Sequence, residues 1–491
     1  MQDAAGCSKK NLSSFLHKGA THPCIFTTKS ELKKLPFILL LIVIGRTYAQ
    51  NYPLPSVPDT ANSGRYIQRT MHLLATSTPE KRNTVKILVY GQSISVQDWW
   101  LEVKRDLISR FPNADIIMEN KAIGGFASQL LSKTVELDVS SFYPDLVLFH
   151  VYGSPDSYEM ILKTIRSRTA AEIAIQTDHY TKDDKWSDNM SYKILPGFAE
   201  KYKCELIQVR REWKKYLDDN KYKPSKLLSD DVHLNAHGNF LMAELIKPYL
   251  HYKLHYKQDE FNLATTYVVG KDVFLKGSKI ILPFKGNKVD VISENTTPSG
   301  NLKIFVDNKK PSSFPGTYFM TRPYSTEGGG WPWTLPAMIH VGHTAPWLSE
   351  EWTCIFDDVS APYEDFGFSI SGSKTGPDGS GRGSKDFISK SKRVIIKKGD
   401  ADAGGDWHLK RSHAVMKTVV KPGDVVKWKT YSISTDILSS KPGDFTSITN
   451  PVTLFQGIPN KEHVLKIRGK LKNATITEIR VYKPFLEDGT N

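Results

Sequence analysis

The sequence predicts a chain in two parts: an α/β domain built on a parallel sheet, then an all-β region of sandwich or jelly-roll type, as one body or two small ones. Three observations predict it. At 491 residues the chain is too long for one hydrophobic core. From Val85 to Tyr252, short apolar runs alternate with amphipathic helical patterns, which is how a parallel sheet with helices on both faces is written. From Phe261 onward, only short alternating runs separated by turn residues remain.

Taken in order, residues 1–49 carry a ten-residue apolar block, Leu35–Ile44, behind Lys33 and Lys34, with Thr47-Tyr48-Ala49 shortly after. The block is too short to span a bilayer, and the small residues before Gln50 suit a signal-peptidase site. The expectation is export to a secreted or periplasmic location with cleavage after Ala49, and no stable membrane insertion afterwards. Residues 50–84 form a proline-rich lead-in (Pro53, Pro55, Pro58), then a helix capped by Ser63 that presents Ile67, Met71 and Leu74 to the next domain.

Residues 85–252 hold the α/β pattern. Strands are expected at Val85–Tyr90, Asp115–Glu119, Leu146–Tyr152, Glu172–Thr177 and Glu205–Val209. Helices are expected at Val96–Arg110, Ser157–Arg168, Asn189–Tyr202, Arg211–Asn220 and Ala236–Tyr252. Residues 253–260 are polar and basic, a linker. Residues 261–491 supply strands such as Lys279–Phe284, Lys288–Ile292, Leu302–Val306, Phe366–Ile370, Val425–Tyr431 and Thr475–Tyr482, with Pro298-Ser299-Gly300, Gly376-Pro377-Asp378-Gly379 and Pro422-Gly423-Asp424 as turns.

Composition narrows the function. The formal net charge is +14, of which residues 1–49 supply a net +5, leaving +9 spread among acidic residues with no arginine-rich stripe. That pattern argues against a nucleic-acid partner. Of four cysteines, Cys7 and Cys24 precede the cleavage site; Cys204 and Cys354 stand apart without metal-ligand spacing and are expected as buried small hydrophobes. No metal or other cofactor is expected.

The chemistry centres on Val85–Ser95, V-K-I-L-V-Y-G-Q-S-I-S. A strand broken by Gly91 and followed by a helix pattern puts the Ser93 hydroxyl at the carboxyl edge of the sheet, where N–H dipoles favour developing negative charge. A base follows in L-L-S-D-D-V-H-L-N-A-H-G, residues 227–238. His233 on a loop can face Ser93 while Asp230, three positions earlier, or Asp231 fixes its tautomer. Gly124 and Gly125, after the second strand, let backbone N–H groups approach a ligand closely.

Together, G-Q-S at 91–93, N-x-x-x-x-G at 120–125, G-x-x-D at 153–156 and D-x-x-H at 230–233 resemble the SGNH (GDSL-type) hydrolase family across Val85–Tyr252. The resemblance implies a flavodoxin-like three-layer domain and metal-free ester hydrolysis. It gives Ser93 as nucleophile and oxyanion donor, Gly125 as a second donor, and Asp230 and His233 as the rest of a triad. One position departs: the family's third oxyanion donor is an asparagine side chain, and Pro155 stands there. Losing such a donor costs on the order of 3 kcal/mol of transition-state stabilisation. His150, Tyr152, Ser154 and His179 are the residues expected to face the substrate in its stead.

In the β region, Trp331 and Trp333 of G-G-G-W-P-W form either a sugar-stacking platform or part of a core, whereas Trp352 reads as core. The functional expectation is an exported serine esterase acting on an acylated carbohydrate or another small ester. Two alternatives stay open: a glycan-binding protein whose esterase domain has degenerated, or an acyltransferase with the same triad.

Overall fold

The five parallel strands are β1 (Thr84–Gly91), β2 (Asp115–Asn120), β3 (Leu146–His150), β4 (Glu172–Gln176) and β5 (Glu205–Ile207), in the order β2-β1-β3-β4-β5. The computed structural model describes residues 52–293, 301–325, 337–439, 451–469 and 476–487. The leader segment and Trp331 and Trp333 lie outside them.

Helices α1 (Gln68–Ala75), α2 (Ser93–Val96), α3 (Trp99–Arg110), α4 (Ser128–Val135), α5 (Pro155–Arg168), α6 (Lys185–Asn189), α7 (Leu195–Tyr202), α8 (Val209–Asn220) and α9 (Ala236–Ile246) connect the strands. The central strands are apolar on both faces because each face meets helices, whereas the edge strand β2 is partly exposed. Val85, Ile87 and Val89 pack with Trp99, Val103, Trp213 and Leu241 on one side. Leu88, Tyr90 and Phe149 pack with Leu131, Tyr158 and Ile161 on the other. Truncating a fully buried side chain such as Trp99 costs about 3–5 kcal/mol.

Two expectations for this half need correction. Ser63 caps no helix: a 3-10 turn, Arg65–Ile67, enters α1 from Gly64. The helix expected from Val96 is broken, since Gln97 takes an extended conformation between α2 and α3. Its side-chain amide is engaged with another loop, as described below.

Strand order places the crevice of the sheet beside β1, where the direction of strand addition reverses and ligands of such sheets bind. At this point β1 runs close to β3. A Cβ on Gly91 would lie 1.9 Å from the His150 carbonyl oxygen, so only glycine fits immediately before Gln92 and Ser93.

The remaining region is built mainly of antiparallel strands in two large sheets, one nested in the other. The seven-stranded sheet contains Ala264–Val268, Leu275–Lys276, Lys279–Ser293, Asn301–Val306, Ile437–Ser439, Val452–Arg468 and Ile476–Tyr482. The six-stranded sheet, from Tyr318 to Ser432, is inserted between Asn301–Val306 and its partner Ile437–Ser439. This inserted β body also carries a helix, α10 (Leu409–Met416), which the sequence pattern did not announce. Gly376-Pro377-Asp378-Gly379, expected as a turn, belongs to the strand Gly376–Arg382. That strand is the sheet's edge, where proline is tolerated, and its pairing shifts register beside Pro377.

From Tyr52 onward the chain forms one unit. Its halves share buried polar contacts. Tyr143 donates to Asn287 Oδ1 at 2.6 Å, Asn287 Nδ2 donates to the Arg168 carbonyl at 2.9 Å, and Tyr143 meets the Tyr482 ring edge-on. Cys204 and Cys354 are both free and buried, and Trp352 is fully buried in the core of the inserted body.

Candidate active site

Ser93, Gly124, Gly125, Asp230 and His233 all line one cavity of about 980 Å³ at the carboxyl edge of the parallel sheet. Ser93 opens α2, two residues beyond the end of β1. The following turn is secured from two sides: Ser95 and Val96 donate their N–H groups to the Gln92 carbonyl, and Asn120 Nδ2 donates to the Ser95 carbonyl at 2.6 Å.

Gly124 and Gly125 are the central residues of a turn closed by Phe126 N–H donating to the Ile123 carbonyl at 3.2 Å. Gly125 has φ +77°, the left-handed value that a type II turn requires at its third residue. Among the hydrogen bonds of the described residues none is donated by the N–H of Gly124 or Gly125, and both residues line the cavity.

The histidine loop is a narrow hairpin. Leu228 and Leu234 form an antiparallel bridge, and Ser229 N–H donates to the His233 carbonyl at 2.8 Å. At its tip Asp230 Oδ1 accepts the N–H groups of Val232 and His233 at 2.8 and 2.7 Å, while Oδ2 lies 2.8 Å from His233 Nδ1. These bonds, the two backbone donors above all, hold the Asp230 carboxyl down to about 2. An ionised carboxylate only accepts, so Nδ1 carries a proton, and in the neutral ring the lone pair is on Nε2. Of the two candidate carboxylates it is thus Asp230, not Asp231, that orients the ring. Among the described residues no hydrogen bond joins Ser93 to His233; both line the same cavity.

Two further contacts frame the loop. The Gln97 amide pairs with the backbone of Leu234 in both directions, accepting its N–H at 3.0 Å and donating to its carbonyl at 2.8 Å. His179 Nε2 lies 2.8 Å from the Val232 carbonyl. Burial, with His150 nearby, pushes His179 down to about 3, so the ring is neutral and Nε2 donates.

The residues expected to replace the missing asparagine lie elsewhere. His150 is buried against Asp178 at 3.0 Å, and His179 is spent on Val232. Tyr152 and Ser154 accept from Ser128 through their carbonyls, and Pro155 starts α5. None of the four lines the cavity. The cavity is lined instead from the inserted β body, through His408, Arg411 and Val415 of and before α10. Arg411 Nη2 donates to the Gly125 carbonyl at 2.8 Å. Gln97 and Arg411 carry no motif signal, because each acts on a segment more than a hundred residues away.

Among the described residues no group of three His, Cys, Asp or Glu side chains is disposed to hold a metal. His237 stacks on Tyr52 at 4.1 Å and bonds Tyr216 at 2.7 Å. Also among the described residues, no helix is long and apolar enough to cross a membrane.

No family model matches the chain, and no curated protein does. Among solved structures the chain is similar to LAE5, an α/β hydrolase enzyme from the metagenome of Lake Arreo, Spain, at 19% identity and TM-score 0.31, over 36% of this chain and 100% of that one. It is similar to a two-domain esterase (CEX) active on acetylated mannans at 13% identity and TM-score 0.32, over 86% and 96% of the two chains. A third is a catalytic mutant of Axe2, an acetylxylan esterase from Geobacillus stearothermophilus, at 16% identity and TM-score 0.31, over 37% and 99%.

Proposed function

We propose that this protein is a serine esterase in which Ser93 is the nucleophile, His233 the base and then the acid, and Asp230 the group that orients and stabilises the imidazolium. The observation that carries the reading is the shared cavity, with Asp230 Oδ2 2.8 Å from His233 Nδ1. On this reading Ser93 Oγ bonds to the ester carbonyl carbon as its proton passes to His233 Nε2. The tetrahedral oxyanion is held by the N–H groups of Ser93, Gly125 and Gly124. Collapse expels the alcohol, which takes the proton from His233, and water then releases the acyl group by the same steps.

The cavity exceeds what an acyl group alone requires, so a bulky alcohol is the proposed leaving group, with an acetylated carbohydrate as the substrate class. On the same reading residues 1–49 are an export leader, 50–84 the lead-in, 85–252 the hydrolase domain, 253–260 the joining segment and 261–491 the β region. Ser93→Ala in a folded protein is expected to abolish turnover of p-nitrophenyl acetate, and unchanged turnover ends the reading.

One observation favours a second reading. Pro155 leaves the oxyanion to backbone donors, as in a glycan-binding protein whose esterase domain has lost competence. It requires saccharide binding without any acyl-enzyme.

A further inference from the structure

Two arginines of the inserted β body reach into the α/β domain and end on the same short loop. Arg322, next to the strand Tyr318–Met320, donates from Nη2 to the Lys121 carbonyl at 2.6 Å. Its Nε donates to Asp138 Oδ1 at 2.6 Å, and Asp138 in turn accepts from the Tyr90 hydroxyl at 3.1 Å. Asp138 is buried and Arg322 partly so, which makes this a charge-assisted, anchored pair. Arg411, in α10, takes the other end of the loop through the Gly125 carbonyl. It is itself held by Asp402 at 2.6 Å. Beyond Gly125, the Phe126 ring packs edge-on against His408 at 5.0 Å.

The segment between these anchors is Lys121–Gly125, which carries Gly124 and Gly125. A turn containing two glycines has little conformational preference of its own, and the direction of its N–H groups depends on what holds its carbonyls. The Ile123 carbonyl is held within the turn by Phe126 N–H, but the Lys121 and Gly125 carbonyls are held by the inserted body, from residues 201 and 286 positions further along the chain.

We propose that the inserted β body is a working part of the catalytic site, with Arg411 a positioning residue that acts through the Gly125 carbonyl to fix the oxyanion turn, and Arg322 the anchor of its other end. The inference rests on the esterase reading above. It differs from a role in gripping the glycan, because it governs turnover of any ester, including one without a sugar.

The test uses the full chain with p-nitrophenyl acetate, which offers nothing for a glycan-binding surface to hold. Arg411→Gln is expected to lower kcat by about tenfold or more, with KM within about twofold of the parent. Inhibition by phenylboronic acid, which forms a tetrahedral adduct on a serine nucleophile, is expected to weaken in parallel. Arg411→Lys keeps the charge but not the fork and is expected to fall between; it also carries the test if the glutamine variant does not fold. Parental kcat and boronate inhibition in a folded Arg411 variant, with Ser93→Ala inactive, overturn the inference. Full activity of Ser93→Ala sinks the esterase reading itself, so the two failures are distinguishable.

Discussion

Gln97 and Leu234, 137 positions apart, are joined by two hydrogen bonds between one side-chain amide and one residue's backbone N–H and carbonyl. The pair fastens the segment that follows Ser93 to the residue that follows His233. It is the direct mechanical link between the two halves of the proposed triad, and Trp99 N–H bonding to Asn239 Oδ1 at 3.0 Å reinforces it.

Gln97→Ala is therefore expected to lower kcat for p-nitrophenyl acetate by about ten- to a hundredfold through misplacement of the imidazole. Stability should drop by about 1–3 kcal/mol, because two backbone groups lose their partner. Steady-state kinetics and denaturant unfolding read the two effects separately; unaltered kcat would show that the tether has no catalytic consequence.

Asp230→Asn removes the acceptor that fixes the His233 tautomer and is expected to cost about 10³- to 10⁴-fold in kcat. Asp231→Asn is expected to leave kcat within a fewfold. Because Asp230 stays ionised down to about pH 2, protonation of this carboxylate is expected to contribute nothing to a fall of kcat/KM between pH 7 and pH 4. A reversal of the two variants' effects would reassign the orienting carboxylate.

His179 gives a stability prediction with a definite sign. Its folded pKa, about 3, lies below the ordinary 6.5, so between those values the unfolded chain binds the extra proton. This group's contribution is fully present above about pH 6.5 and declines as pH falls toward 3. His179→Gln keeps a donor for the Val232 carbonyl without the titration. The difference in unfolding free energy between parent and variant should change with pH inside that window and be flat above it. Urea melts across pH 4–8 check this, and a constant difference contradicts a neutral buried ring.

Much of the α/β half was legible because both its physical signals are local. The strands from Thr84 to Ile207 are short apolar runs; Ser93 and Gly125 come just after β1 and β2, and Asp230 and His233 stand in the loop before α9. What could not be read depends on distant partners. The break at Gln97 exists because its amide is used on Leu234. The neighbours of Pro155 seemed aimed at substrate, whereas His150 and His179 are committed to Asp178 and Val232. Arg322 and Arg411 had no local signature, since a surface arginine and an anchoring one look alike in sequence.

The most direct test of the proposed nucleophile is covalent trapping. Incubating the full chain with a fluorophosphonate probe and mapping the adduct by peptide mass spectrometry should give stoichiometric labelling at Ser93, abolished in Ser93→Ala and slowed in His233→Ala. Absence of an adduct on Ser93 in folded protein, or modification of a different serine, would contradict the account.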